Sequence, residues 1–235
     1  MTHLTVSWSD QPLGVGLLPA SLTHLKLGMN FNQPIERGSL PTGLTSLDVG
    51  WNFNQPIGDN VLPAGLTELK LGFNFNQPIG KGVLPRCLKK LHLGFEYNHP
   101  IEDNILPPEL ISLSLGQKFN HPISKFPESL TELVFPAFFD QPIGNGVLPP
   151  MLKRLQLGMR FNQPLGNGFL PIGLTSLIIG DRFNHPIKRG DLPASLEVLS
   201  FGRHFNQPIK QGCLPNGIKV LSFGRHFNQP IERGC

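Results

Sequence analysis

The sequence predicts a β-rich solenoid of about ten 22-residue coils, with one parallel β-sheet of short strands and a helix-poor return side. Three observations predict it. First, a close relative of Phe-Asn-Gln-Pro-Ile recurs ten times, starting at Phe31, Phe53, Phe75, Tyr97, Phe119, Phe139, Phe161, Phe183, Phe205 and Phe227, with an eroded copy over Asp10 to Leu13. Second, the spacing is 22 residues except for the 20 between Phe119 and Phe139. A period that short builds no separate core in each unit, so the units must stack and share one. Third, an alternating pair of apolar residues, Leu followed two places on by Leu, Val, Ile or Phe, precedes each copy, as in Leu25 and Leu27 around Lys26, which is the pattern of a strand with one buried face.

The consensus is LPxxLxxLxLGxxFNQPIxxGx, and each part has a physical role. The LxxLxL segment is leucine-rich-repeat-like, supplying one short strand per turn. Its inward column is filled by Leu47/Val49, Leu69/Leu71, Leu91/Leu93, Leu113/Leu115, Leu133/Phe135, Leu155/Leu157, Leu177/Ile179, Leu199/Phe201 and Leu221/Phe223. Two Pro and at least one Gly in most repeats leave no interval long enough for a helix, so the return side is turns and extended segments. The Asn after the Phe recurs as Asn32, Asn54, Asn76, Asn98, Asn120, Asn162, Asn184, Asn206 and Asn228, with Asp10 and Asp140 as substitutes. A side-chain amide at that place suits a structural ladder that bonds the backbone of neighbouring coils where the strand has stopped. His99, His121 and His185 replace the next residue, Gln. They are read as Gln-like hydrogen-bonding residues, since His99 and His121 have no evident third metal ligand.

With those residues laid out, FNQPI joined to LPxxLxxLxLG closely resembles the FNIP repeat family, an offshoot of leucine-rich repeats met mainly in amoebae and in large viruses that infect them. The likeness covers nearly the whole chain. It departs from ordinary leucine-rich repeats because the ladder Asn comes five residues after the last strand Leu rather than three, so the turn beyond the strand is expected to differ. Relatives often join such repeats to an F-box or a kinase-like domain. The resemblance therefore implies a substrate-recruiting or scaffolding role, including the substrate-recognition part of a ubiquitin-ligase adaptor lacking its F-box.

The repeat gives one domain over residues 1–235, with a degenerate first coil at 1–17, a shortened repeat between Phe119 and Phe139, and no C-terminal cap. Apolar residues make up 39%, while 26 Gly and 24 Pro are placed by the repeat rather than scattered as in a disordered tract. No apolar run approaches the ~18 residues needed to span a membrane. Residues 1–10 lack a basic start and an apolar stretch, so an intracellular, cytoplasmic protein is expected, or a virion protein if the source is viral. Three cysteines suit a reducing compartment. Cys213 and Cys235 share a column, and coils about 5 Å apart would let an oxidant bridge them; free thiols are the default.

Function should lie in outward positions that vary. Met29, Trp51, Phe73 and Phe95 occupy the place just after the Gly, as either an exposed ridge or a second core row. Later in the chain Arg160, Arg182, Arg203, His204, Arg225 and His226 form a basic strip. Residues 1–150 carry a balance of −3 and residues 151–235 a balance of +7, within a net charge of +4. No aromatic residues interleave the basic strip for base stacking, so nucleic acid is not the expected partner. No nucleophile–base pair, phosphate loop or ligand cluster stands out, and no catalytic residue, cofactor or metal is assigned. The expectation is a noncatalytic protein-interaction scaffold whose partner the residues do not name. The alternative is a self-assembling fibre or virion component that stacks end to end through uncapped coils.

Overall fold

The computed structural model describes residues 1–7, 10–166 and 168–231. The chain falls into two compact units, Met1–Phe119 and Asn120–Cys235, with the boundary at the start of the shortened repeat. Each is a helix-free parallel β-solenoid among the described residues. The first contains β1 (His3–Thr5), β2 (His24–Lys26), β3 (Ser46–Asp48), β4 (Glu68–Lys70), β5 (Lys90–His92) and β6 (Ser112–Ser114). The second contains β7 (Glu132–Val134), β8 (Arg154–Gln156), β9 (Ser176–Ile178), β10 (Val198–Ser200) and β11 (Val220–Ser222). Within each unit every strand pairs in parallel with its sequence neighbour. The register matches the repeat, so Leu25 lies beside Leu47 and Leu199 beside Leu221.

Three i→i+3 turns close each typical coil. Phe31 N–H donates to the Gly28 carbonyl, Ser39 N–H to the Glu36 carbonyl, and Leu44 N–H to the Pro41 carbonyl. The second of these turns needs a left-handed residue. Gly38 (φ 85°) and Gly82 (φ 85°) supply it, and Asn60 (φ 58°) and Asn104 (φ 65°) do so elsewhere, Asn being the side chain that tolerates this region best. The shortened repeat drops two residues of that turn, and Phe126 stands in place of the Leu of Leu-Pro. Its ring is buried and meets Phe135 edge-on at 6.0 Å.

The core is a set of columns. Strand residues such as Leu47, Leu69 and Leu91 are buried under the aromatic spine, in which Phe53 and Phe75 rings stack at 6.1 Å and Phe75 and Tyr97 at 6.1 Å. In the second unit Phe183 and Phe205 repeat the stack at 6.1 Å, and Phe201 packs on Phe205 at 3.9 Å. Burial pushes the Tyr97 phenol up to about 12, because the charged form would lose its water.

Amide rungs run beside the spine. Asn54 N–H donates to Asn32 Oδ1 at 2.8 Å and Asn76 N–H to Asn54 Oδ1 at 2.8 Å. Gln55 and Gln77 add Nε2–H bonds to the same oxygens. In the second unit Asn162 N–H donates to Asp140 Oδ1 at 2.9 Å, and Asn206 N–H to Asn184 Oδ1 at 2.9 Å. His99 and His185 donate Nε2–H to the carbonyls of Asn76 and Asn162, in the manner of the Gln they replace. Cys213 is a buried free thiol, and the suggested bridge to Cys235 lies outside the described residues.

One core position is mismatched. Ser39 is 2% exposed and its hydroxyl has no hydrogen-bond partner among the described residues, whereas the same column holds Val61, Val83 and Ile105. An unpaired buried hydroxyl costs about 1–3 kcal/mol. Ser39→Val should therefore raise unfolding free energy by about 1 kcal/mol, read as a Tm increase of roughly 2–4 °C in calorimetry; an unchanged or lower Tm would show that the site has no room for the second methyl group.

Candidate functional site

The chain leaves nine of the eleven strands through a glycine two residues on, β1 and β7 having Ser7 and Pro136 there instead, and the stacking of those glycines builds the site. In the first unit Gly28, Gly50, Gly72 and Gly94 lie so close together that a Cβ on Gly72 would overlap the Gly50 carbonyl oxygen. With no side chain at these four glycines, the backbone itself is the floor of an open trough lined by five coils, the first of which contributes Thr5, Val6 and Ser7, with a cavity volume of about 670 Å³. One wall is the outward strand column, Lys26, Asp48, Lys70 and His92. The other is Met29, Trp51, Phe73 and Phe95.

The aromatic wall is ordered by its own stacking. The Trp51 and Phe73 rings lie 4.3 Å apart and 3° from parallel, and Phe73 and Phe95 lie 4.5 Å apart at 9°. Ring faces are spent on one another, so the wall presents its edges. Trp51 is 50% exposed and Met29 52%, while Phe73 and Phe95 are half-buried. The column is thus a solvent-facing ridge rather than a second core row.

The polar wall carries mixed charge. Lys70 pairs with Asp48 at 3.6 Å, and Asp48 also accepts the N–H of Gly50, two residues on in the same coil, at 3.1 Å. Lys26 makes no ion pair among the described residues. The His92 imidazole is held below its ordinary 6.5, chiefly by burial and further by Lys70 and Lys90, with Glu68 and Asp48 opposing. The folded protein therefore resists a proton that the unfolded chain accepts near 6.5. The stability linked to His92 is complete above that pH and is lost as pH falls below it. His92→Gln should flatten the decline of the urea midpoint between about pH 7 and pH 5; an unaltered pH profile would exclude this linkage.

The basic residues Arg160, Arg182, Arg203, His204, Arg225 and His226 are all exposed in the second unit. The His204 and His226 rings meet edge-to-face at 4.9 Å, and the Arg160 guanidinium lies 4.5 Å from the Phe138 ring centre. They occupy two adjacent columns, those of Arg203 and Arg225 and of Arg160, Arg182, His204 and His226. The glycine floor is what sequence reasoning missed. Its signal was the recurrence of Gly after the second strand Leu, which reads equally well as a turn residue.

Fold and site together define a leucine-rich-repeat-like β-solenoid with an open trough beside its strands. The FNIP Repeat model matches residues 10–52, 53–96, 97–138, 119–160, 161–204 and 205–235. The chain belongs to the FNIP repeat family. Its structure is similar to the crystal structure of CroV588, described as a circular LRR protein, with 44% identity and a TM-score of 0.96 over 100% of this chain. The match covers 35% of that protein, so the chain spans about a third of its length. More distant likenesses are to YopM from Yersinia enterocolitica (20% identity, TM-score 0.42, 91% of this chain and 60% of that one) and to a leucine-rich repeat protein from Bacteroides ovatus (11%, 0.25, 94% and 69%). No curated protein matches. No helix among the described residues is long and apolar enough to cross a membrane.

Proposed function

We propose that the protein is a noncatalytic scaffold that binds a protein partner along the trough of its first unit. The observation that carries the reading is the exposed Trp51–Phe73–Phe95 stack beside a floor without side chains. An aromatic wall in a preformed groove offers a large contact area at little conformational cost, which is how binding hot spots are built. The outward strand residues vary in chemistry from coil to coil, from Lys26 to Asp48 to His92, while the columns that hold the coils together recur. That division suits a surface whose specificity is set separately from its stability.

A random peptide library displayed on phage and selected against the full chain tests this. Trp51→Ala and Phe73→Ala should each weaken the recovered binders by tenfold or more, about 1.4 kcal/mol. Binders indifferent to both substitutions would place recognition elsewhere on the molecule.

A further inference from the structure

We propose that the trough selects an extended acidic peptide segment, with a carboxylate seated at Lys26 and Gly28 and bulky apolar side chains against Trp51 and Phe73. This deepens the reading of the trough as the binding face and rests on it.

The floor is the first reason. The N–H groups of Gly28, Gly72 and Gly94 make no hydrogen bond to the described residues. The Gly50 N–H, in a backbone of φ 83° that Gly28 does not share, donates to the carboxylate of Asp48 two residues before it. A carboxylate on an occupant would supply the acceptor that the Gly28 N–H, which lines the trough, lacks among the described residues. The charge is the second reason. Asp48 is engaged by Lys70 and by Gly50, which leaves Lys26, among the described residues, as the wall's unpaired lysine beside Gly28. A carboxylate there makes a charge-assisted hydrogen bond and an ion pair together.

The aromatic wall points the same way. With their faces stacked on one another, the rings of Trp51, Phe73 and Phe95 turn outward the edges that carry the positive part of the quadrupole. Such edges favour aliphatic groups and acceptor oxygens over cations. Backbone donors, Lys26 and ring edges are all unfavourable for a basic peptide. Of the five coils that line the trough, the four from Lys26 to Phe95 span about 14 Å, the reach of four to five extended residues. In an extended segment alternate side chains point to opposite sides, so one wall receives the acids and the other the apolar groups.

Fluorescein-labelled six-residue peptides of alternating Glu-Leu, Gln-Leu and Lys-Leu, titrated with the full chain and read by fluorescence anisotropy, decide the matter. The Glu-Leu peptide should bind at least tenfold more tightly than the Gln-Leu peptide, with the advantage shrinking as salt is raised. Lys26→Glu should abolish the advantage, whereas Lys81→Glu, an equal charge change outside the trough, should preserve it. Equal binding of Glu-Leu and Gln-Leu, both weakened by Trp51→Ala, would overturn the acidic preference while leaving the trough as the binding face. Retention of the advantage in Lys26→Glu, or tighter binding of Lys-Leu, would also overturn it. If no peptide binds while phage-selected binders still depend on Trp51, the inference fails and the broader reading stands.

Discussion

Gly72→Ala is expected to lower the unfolding free energy by more than ~4 kcal/mol, in the range reached only by specific structural damage. The added methyl group would overlap the backbone carbonyl of Gly50. A carbonyl in a stacked coil has no rotamer to change, so relief requires the two coils to separate and their strand pairing to loosen. Two other glycines of the same unit serve as controls. Gly82 has open space around it but φ of +85°, so Gly82→Ala should cost about 1–2 kcal/mol from backbone strain alone. Gly65 has open space and no such φ, so Gly65→Ala should be nearly neutral or slightly stabilising. Urea unfolding of the three variants gives the order directly. A Gly72→Ala protein as stable as Gly65→Ala would mean that the coils are not held at this distance.

Phe75→Ala is the second large effect, with an expected loss of about 3–5 kcal/mol. The ring is fully buried and sandwiched between Phe53 and Tyr97 at 6.1 Å on either side. Its removal leaves a cavity that rigid neighbouring coils cannot fill. Phe75→Leu keeps most of the volume and should cost markedly less. Trp51→Ala is the informative contrast, because that ring is 50% exposed and its loss should shift the urea midpoint little while weakening the proposed binding tenfold or more. If Phe75→Ala and Trp51→Ala destabilised the fold equally, the assignment of one column to the core and the other to recognition would fail.

Those two aromatic columns show how far sequence reasoning reaches. Trp51 and Phe53 are two residues apart, and both recur as aromatics through the next two coils. Strand alternation assigns Leu47 and Val49 to the inside, but it stops at Gly50, where the chain turns. Beyond that point no periodicity says that position 53 turns into the core and position 51 faces solvent. The corner after the glycine decides it: a bond from the Phe N–H to the Gly carbonyl closes it at Phe31 and at Phe75, and at Gly50 the backbone turns with φ of 83°. Ser39 was likewise illegible. A Ser among Val and Ile reads as a surface residue until its burial is known. The amide column, in contrast, was readable in advance, because an Asn repeated at one place in nearly every coil has the next coil's backbone as its natural partner.

The period alone determined that the coils stack, which strand residues share a column, and which amides face one another. Those are consequences of identical chemistry recurring at a fixed interval, and only in-register stacking satisfies them all. Tertiary structure decided the rest: that the glycines approach closely enough to form a bare floor, that Met29, Trp51, Phe73 and Phe95 rise beside it as a wall, and that Lys26 stands opposite with no acidic partner among the described residues. These depend on the turn after the strand and on distances between coils. A one-dimensional pattern carries the order of residues along each coil but not the direction in which a turn sends them.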